Sequence, residues 1–157
     1  MVFEQMLRII DLLGGLDLRL GGGWGVDVLY GEPTRDHHDI DLFVPETEIA
    51  DALGRLVTRG YEVADDDAPC RVVLAHPNGP IVDLNGLVYT PTGDGYQHDD
   101  QGGFELFFRD CWVTRLIQNR VIVCLSPEAQ RIKHGGYDFR TTGVGDLAIL
   151  DRLGEPK

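Results

Sequence analysis

A glycine-rich turn followed by two aspartates on an apolar strand most restricts how this chain can fold. Residues 18–20 are predicted to form a short strand, which is followed by three glycines at 21–23. Residues 24–30 are predicted to form a helix that ends at Gly31. The segment DIDLFV at 39–44 then alternates polar and apolar at its start, as a strand with one buried face does. This order predicts a sheet with helices packed on it.

The rest of the chain extends the same pattern. Helices are predicted where amphipathic segments start, at Phe3, Glu46, Ser126 and Asp146, and strands at 71–75, 81–84 and 121–125. The first two of these strands flank Asn78-Gly79, which predicts a hairpin. Residues 65–67 are expected to form an acidic loop, and residues 90–103 a mobile one. The pattern predicts an α/β (α+β) fold, a mixed β-sheet flanked by helices, in a single domain over residues 1–157.

Composition restricts the partners of this fold. Asp and Glu outnumber Lys and Arg by 26 to 14, which gives a formal net charge of −12. Such a surface repels a polyphosphate backbone and attracts cations, so it argues against non-specific nucleic-acid binding. The 3 cysteines are widely spaced and suggest free thiols in a reducing compartment. Without a predicted signal peptide or membrane-spanning segment, we expect a cytoplasmic protein.

The aspartates predict a metal site. Asp39 and Asp41 are two residues apart on a strand, so both side chains leave the same face of the sheet. Asp83 lies within the apolar run 81–84, where a charged residue calls for a functional or structural explanation. If the two strands are neighbours, three carboxylates converge and could bind Mg²⁺, with two ions clamping the attacking and leaving oxygens. The alternative is that Asp39 and Asp41 belong to a solvated face.

The glycine turn strengthens the metal interpretation. Its backbone N–H groups and the helix start that follows favour phosphate. Trp24, directly after the glycines, could stack on a nucleobase, although a core position at the helix start is the favoured alternative. Lys133, on the helix after Ser126, could reach a triphosphate or could be an ordinary surface lysine.

The segment GGGWGVDVLYGEPTRDHHDIDLFV at 21–44 resembles the signature of the antibiotic nucleotidyltransferases of the polymerase-beta-like superfamily. The resemblance is to the group that contains the lincosamide nucleotidyltransferases and the aminoglycoside 2″-O-adenylyltransferases. It continues through the Asp83 strand, SPEAQ at 126–130, HGGY at 134–137 and DLAIL at 146–150. Residues 86–119 have no clear counterpart, and we expect them to decide the identity of the substrate.

The resemblance implies a nucleotidyltransferase fold and a role for each site residue. Asp39 and Asp41 would bind Mg²⁺, and Asp83 would be both a third metal ligand and the base that deprotonates the acceptor hydroxyl. Gly22 and Gly23 would cradle the nucleotide phosphates. Arg35 and His37 would meet triphosphate oxygens.

The expected reaction is transfer of a nucleoside monophosphate, AMP from ATP or another nucleoside triphosphate, to a hydroxyl of a small antibiotic-like acceptor. Chain length and the HGGY segment favour a lincosamide, whereas the acidic surface favours the more cationic aminoglycosides. One alternative is a toxin-type enzyme that adds nucleotides to tRNA 3′ ends. Another is a non-catalytic nucleotide-binding module. A chain this short leaves room for a partner subunit, as in a homodimer, to complete the substrate cleft.

Overall fold

The computed structural model of the chain describes residues 3–99 and 101–135, and side chains as far as residue 132. The helices are α1 (Phe3–Leu12), α2 (Gly22–Tyr30), α3 (Ile49–Val57) and α4 (Pro127–Gly135). The strands are β1 (Arg19–Gly21), β2 (Asp39–Pro45), β3 (Glu62–Asp67), β4 (Arg71–Ala75), β5 (Ile81–Tyr89), β6 (Gly95–His98), β7 (Phe104–Phe107), β8 (Trp112–Ile117) and β9 (Arg120–Leu125). Short 3₁₀ turns, Glu46–Glu48 and Arg109–Cys111, precede α3 and β8.

The sheet is mixed, with the glycine-turn strand and both aspartate strands at its centre. The strand order is β3-β4-β5-β2-β1-β9-β8. The pairs β2–β5 and β1–β9 are parallel, and the other pairs along this path are antiparallel. The last residues of β5 pair with β6, which pairs in turn with β7. This arrangement confirms the predicted α+β architecture.

The main core lies on the sheet face that α1, α2 and α3 cover. On β2 it takes every second residue, and Ile40, Leu42 and Val44 are all fully buried. Helix α1 contributes its buried residues Met6, Leu7 and Ile9 to this core. Because strand side chains alternate, the residues between the core positions of β2 lie on the opposite face, where the aspartates are.

A second, smaller apolar cluster forms on the aspartate face. Its buried members come from four strands and are Phe43, Leu87, Phe107 and Leu125. The Phe43 and Phe107 rings are 5.1 Å apart, and the Trp112 ring stacks on Phe107 at 5.8 Å. The β6–β7 hairpin thus packs across one end of this face through Phe107.

Most predicted elements are present, and two loops are corrected. Residues 65–67 belong to the edge strand β3, whose residues are all exposed and which is held by backbone pairing to β4. The expected loop at 90–103 contains β6, which pairs with β5 and β7. Neither strand carries the apolar alternation by which a half-buried strand is recognised. The helix predicted at Asp146 lies outside the described residues.

The cysteines are free thiols, and burial raises the pKa of the Cys124 thiol to about 11. Within the residues that the structure describes, no helix is both long enough and apolar enough to cross a bilayer.

Candidate active site

Strand β2 presents two carboxylates on the face opposite the main core. Asp39 is exposed and Asp41 is half-buried, while Ile40 between them is fully buried. The side chains of Asp39 and Asp41 therefore leave the same side of the sheet, as their spacing predicts.

The third aspartate lies directly beside this pair. Strands β2 and β5 run parallel, with Asp41 opposite Asp83 and Asp39 opposite Ile81. Neighbouring strands are about 4.8 Å apart, so the carboxylates of Asp41 and Asp83 project side by side. The expectation that the two aspartate strands are neighbours is confirmed.

An arginine that the sequence did not single out pairs with the third aspartate. Arg71 on β4 donates to both carboxylate oxygens of Asp83, from Nε at 2.8 Å and from Nη2 at 2.7 Å. These hydrogen bonds, together with the negative charges of Asp83, Asp41 and Asp65, raise the pKa of Arg71. Arg71 therefore keeps its positive charge at neutral pH.

The ion pair alters the expected metal site. Among the described residues, no three His, Cys, Asp or Glu side chains are grouped so as to hold one metal ion. Both oxygens of Asp83 are bonded to Arg71 instead. The convergence of all three aspartates on one ion is thus not seen in this side-chain arrangement, and the metal role of Asp83 stays a prediction.

The glycine turn lies against the β2 carboxylates. Gly22, the first residue of α2, has φ +62°, and a Cβ there would collide with Oδ2 of Asp41. Glycine therefore meets two needs at this position, a left-handed backbone and close approach to a carboxylate. The N–H groups in the first turn of a helix point outward, so a phosphate at this turn would lie beside Asp41.

The next glycine faces two other predicted phosphate ligands. A Cβ on Gly23 would collide with the His37 ring and would lie 2.7 Å from Nη2 of Arg35. Arg35 is half-buried and also donates to the backbone oxygen of Asp36 at 3.1 Å. The guanidinium thus lies beside the turn, and its contact with a triphosphate stays a prediction.

His37 belongs to a buried network under the turn. Its side chain is 2% exposed, and its Nε2 lies 2.7 Å from Oδ2 of Asp27, which is fully buried on α2. The hydroxyl and the backbone N–H of Thr34 also donate to the Asp27 carboxylate. The structure therefore places His37 in a buried network beneath the turn, and its contact with a triphosphate stays a prediction.

Trp24 is a core residue. Its side chain is 1% exposed and packs against the rings of Phe3 and His37, at centroid distances of 5.9 and 4.4 Å. A ring buried to this extent has no face available to a nucleobase, so the stacking prediction is corrected in favour of the core alternative.

Helix α4 is tied to the turn by a glutamine that the sequence reasoning did not select. Gln130 is fully buried, and its Nε2 donates to the carbonyl oxygen of Gly22 at 3.2 Å. Ser126 caps the helix by accepting from the N–H of Ala129 at 3.1 Å. Gln130 lies in the SPEAQ segment, which was the available signal for it. The side chain of Lys133 lies outside the described residues.

Beyond the carboxylates, the same sheet face becomes amide-rich and then aromatic. Asn85 follows Asp83 by two residues and donates to the carbonyl oxygens of Leu42 and Asp83. Gln97 on β6 donates to Oδ1 of Asn85 at 2.8 Å, which links the hairpin to the site strand. The part of the chain that the sequence could not interpret, 86–119, thus forms one flank of the site.

The donor set near the turn suits a hard divalent cation. Asp39 and Asp41 offer carboxylate oxygens on one face, and the absence of a side chain at Gly22 lets the Asp41 carboxylate lie directly against the turn. Mg²⁺ is typically bound by one or two carboxylates together with substrate phosphates. The residues present therefore fit a magnesium ion shared between β2 and a phosphate at the turn.

Comparison with known proteins identifies the family of this chain. A family model described as aminoglycoside-2″-adenylyltransferase matches residues 5–150. A lincosamide resistance protein from Staphylococcus haemolyticus is 31% identical to this chain over 152 residues, covering 96% of this chain and 94% of that protein.

Two solved structures extend the similarity to the fold. The lincosamide antibiotic adenylyltransferase LnuA, solved with lincomycin bound, is 30% identical with a TM-score of 0.88, covering 97% of this chain and 98% of its own. ANT(2″)-Ia in complex with adenylyl-2″-tobramycin is 19% identical with a TM-score of 0.74, covering 98% of this chain and 91% of its own. At that identity, the second match shows the fold alone.

Proposed function

The chain belongs to the aminoglycoside-2″-adenylyltransferase family and is a nucleotidyltransferase, and from this premise we propose that it transfers AMP from ATP to a hydroxyl of a lincosamide antibiotic. The observation that carries the chemical part is the contact between the turn and the carboxylate, where only a glycine at position 22 leaves room for Asp41. A nucleotide phosphate and a divalent ion would thereby share one small space.

Asp39 and Asp41 are the proposed ligands of Mg²⁺. When bound, the ion supplies charge neutralisation to the phosphoryl oxygens and orients the triphosphate. Their different exposures fit a shared role, because the exposed Asp39 can meet an ion arriving with the nucleotide and the half-buried Asp41 is fixed against the turn.

The turn and Arg35 are the proposed phosphate ligands. Backbone N–H groups at Gly22 and Gly23 would donate to phosphate oxygens at the start of α2, where the helix dipole favours negative charge. Asp27, His37 and Gln130 support the turn from beneath and from α4. They are proposed as positioning residues, because each touches the turn or its support.

Asp83 is the proposed base. The acceptor hydroxyl would give its proton to the Asp83 carboxylate while its oxygen forms a bond to the α-phosphorus of ATP. The bond from that phosphorus to the bridging oxygen breaks, and pyrophosphate leaves with the electron pair. A carboxylate has about four lone-pair positions, so Asp83 can accept a hydroxyl while it remains bonded to Arg71.

Lincosamides are favoured as acceptors by the two closer relatives. The lincosamide resistance protein and LnuA are 31% and 30% identical to this chain, against 19% for the enzyme solved with an adenylylated tobramycin. The residues that contact the acceptor are proposed to lie on the flank formed by β5, β6 and β7, near Asn85 and Gln97.

A pyrophosphate-release assay tests the proposal. ATP, GTP, CTP and UTP are each combined with lincomycin, tobramycin or total tRNA, and the expected turnover is with ATP and lincomycin. Asp83→Asn should reduce kcat by about 100-fold or more, the usual contribution of a general base. The matched control is Asp110→Asn, since the Asp110 side chain is 92% exposed and pairs only loosely with Arg109, at 3.7 Å.

Labelling of tRNA in place of lincomycin would contradict the antibiotic acceptor and support an enzyme acting on tRNA. ATP binding without turnover on any acceptor would support a non-catalytic module. Turnover with tobramycin alone would keep the reaction and replace the acceptor class.

A further inference from the structure

Two aspartates on neighbouring strands create an electrostatic problem that the fold must resolve. Asp41 and Asp83 are opposite each other in the parallel β2–β5 ladder, and both are partly shielded from water. Like charges at this separation repel, and a cation near both is the usual remedy. In a two-metal active site that cation would be a second divalent ion.

Here the neighbouring cation is Arg71. Strand β4 pairs antiparallel with β5, with Val73 opposite Asp83 and Arg71 opposite Asn85. Arg71 and Val73 are two residues apart, so both lie on the aspartate face of the sheet. Although Arg71 is paired with Asn85, its guanidinium extends along the strand to contact Asp83.

The geometry of the Arg71–Asp83 ion pair fixes the position of the Asp83 carboxylate. Both Asp83 oxygens accept, at 2.8 and 2.7 Å, in the two-pronged arrangement in which arginine binds carboxylates most strongly. The Asp83 side chain is 15% exposed and the Arg71 side chain is 50% exposed. The Asp83 carboxylate is thus mostly shielded from solvent, while half of the Arg71 side chain is exposed.

We propose that Arg71 takes the place of a second divalent cation at Asp83, so that the site holds one resident ion, bound by Asp39 and Asp41. This inference rests on the proposed function and narrows it, because Asp83 becomes a base fixed by an arginine and is no longer a metal ligand. Arg71 acts through Asp83 and is a positioning residue.

The test counts bound Mn²⁺ by electron paramagnetic resonance after equilibrium dialysis of the full chain with α,β-methylene-ATP, which does not turn over at the α-phosphorus. We expect one Mn²⁺ per chain in the unsubstituted protein. Arg71→Ala and Arg71→Gln should each bind two, because Asp83 is then released to a second ion. Asp83→Asn in the Arg71→Gln background should return the count to one.

Two further variants serve as references. Arg109→Gln removes a guanidinium whose side chain is 67% exposed and whose ion-pair partner is Asp110, and it should leave the count at one. Arg71→Lys keeps a positive charge and should also leave it at one. Circular dichroism identifies any variant that has not folded, and Arg71→Gln keeps most of the side-chain stem if Arg71→Ala is unstable.

Two outcomes overturn the inference and leave the proposed function intact. One is two Mn²⁺ in the unsubstituted protein with one lost in Asp83→Asn, and the other is one Mn²⁺ in folded Arg71→Gln. A different result would count against the proposed function itself, namely Mn²⁺ binding that is unchanged when Asp39 and Asp41 are both replaced by Asn.

Discussion

At Gly22, a requirement of the backbone conformation and a requirement of the proposed active site fall on the same residue. Its φ of +62° lies in the left-handed region, and the space where a Cβ would project is filled by the Asp41 carboxylate. Any side chain would have to push that carboxylate away from the turn. Gly22 therefore controls the distance between the turn, the proposed phosphate site, and Asp41, the proposed metal ligand.

Gly22→Ala should leave the chain folded and nearly inactive. The left-handed conformation costs an alanine about 1 kcal/mol, and displacing a catalytic group by about 1 Å costs roughly 100-fold in rate. Pyrophosphate release measures the rate, and Mn²⁺ titration measures the ligand loss.

Gly31→Ala is the matched control for this substitution. Gly31 also has a positive φ, +99°, at the end of α2, but a Cβ there would meet no atom within 4 Å. It should lose comparable stability and keep both activity and Mn²⁺ binding. Equal loss of activity in the two variants would mean that strain, and not the Asp41 contact, is responsible.

The sequence predicts site residues well where strand alternation alone decides their position. The shared face of Asp39 and Asp41 follows from their spacing and the apolar residue between them. Arg71 was missed because its contact depends on the register between β4 and β5. The predicted hairpin of residues 71–75 and 81–84 nevertheless pointed to this contact, since it brings Arg71 and Asp83 to the same face of the sheet. The core position of Trp24 was the favoured alternative from its place at the helix start, whereas the burial of His37 depends on its contacts with Asp27 and Trp24 on α2, which no local pattern specifies.

At the scale of elements, the β8–β9 hairpin has a turn whose residues fit it imperfectly. Ile117 pairs with Arg120, so the loop is Gln118-Asn119, and both loop residues have positive φ, +47° and +66°. Two positive φ values define the type I′ turn, for which Asn and Gly are preferred. Asn119 suits this conformation, whereas Gln118 adopts it at some cost.

Gln118→Asn should therefore stabilise the protein by about 0.5 kcal/mol, since asparagine enters the left-handed region more easily. The measurement is the urea midpoint at constant m-value. Gln118→Ala is the control and should give no gain, because alanine lacks the local hydrogen bonding of asparagine. A gain of equal size in both variants would point to loss of the glutamine side chain as the cause.

The elements differ in how far their own sequence specifies them. Helices α1 and α3 carry apolar stripes, and each begins within three residues of its predicted start, Phe3 or Glu46. Residues 65–67 of strand β3 were predicted to form a loop because all three are acidic, and the strand conformation depends on pairing with β4. Its charges suit an edge, where they discourage pairing with another chain. Strand β8 was not predicted, because its position depends on pairing with β9.

At the scale of the whole molecule, the formal net charge of −12 acts against the compact state. Several of the ion pairs that offset it lie at the surface, such as Arg120–Asp11 between β9 and α1 and Arg55–Asp51 within α3. Exposed pairs of this kind contribute little individually, so the repulsion among the remaining carboxylates persists.

Added salt should therefore stabilise the fold at neutral pH. Raising sodium chloride from 10 to 150 mM shortens the screening length from about 30 to about 8 Å. If this relieves about 1 kcal/mol of repulsion, the thermal midpoint should rise by about 2–4 °C. Calorimetry at pH 7 measures the shift. The same experiment at pH 4.6, near the sequence pI of about 4.6, is the control and should show little change.

The family resemblance stated from residues 21–44 is confirmed over most of the chain, since the family match spans residues 5–150. The acceptor was harder to predict, because the flank proposed to contact it is built from β5, β6 and β7, mostly within residues 86–119, which have no clear counterpart in the family resemblance. The nucleotidyltransferase class could thus be predicted from a local segment, whereas the proposed acceptor flank could not.

The alternation along β2 limits how this gene can change. The strand has 7 residues, and its even and odd positions serve the core and the site respectively. Inserting or deleting one codon within β2 would exchange the two sets, burying aspartates and exposing Ile40 and Leu42. We expect length variation among descendants of this chain to be confined to connections such as that between β6 and β7, while β2 diverges by substitution alone.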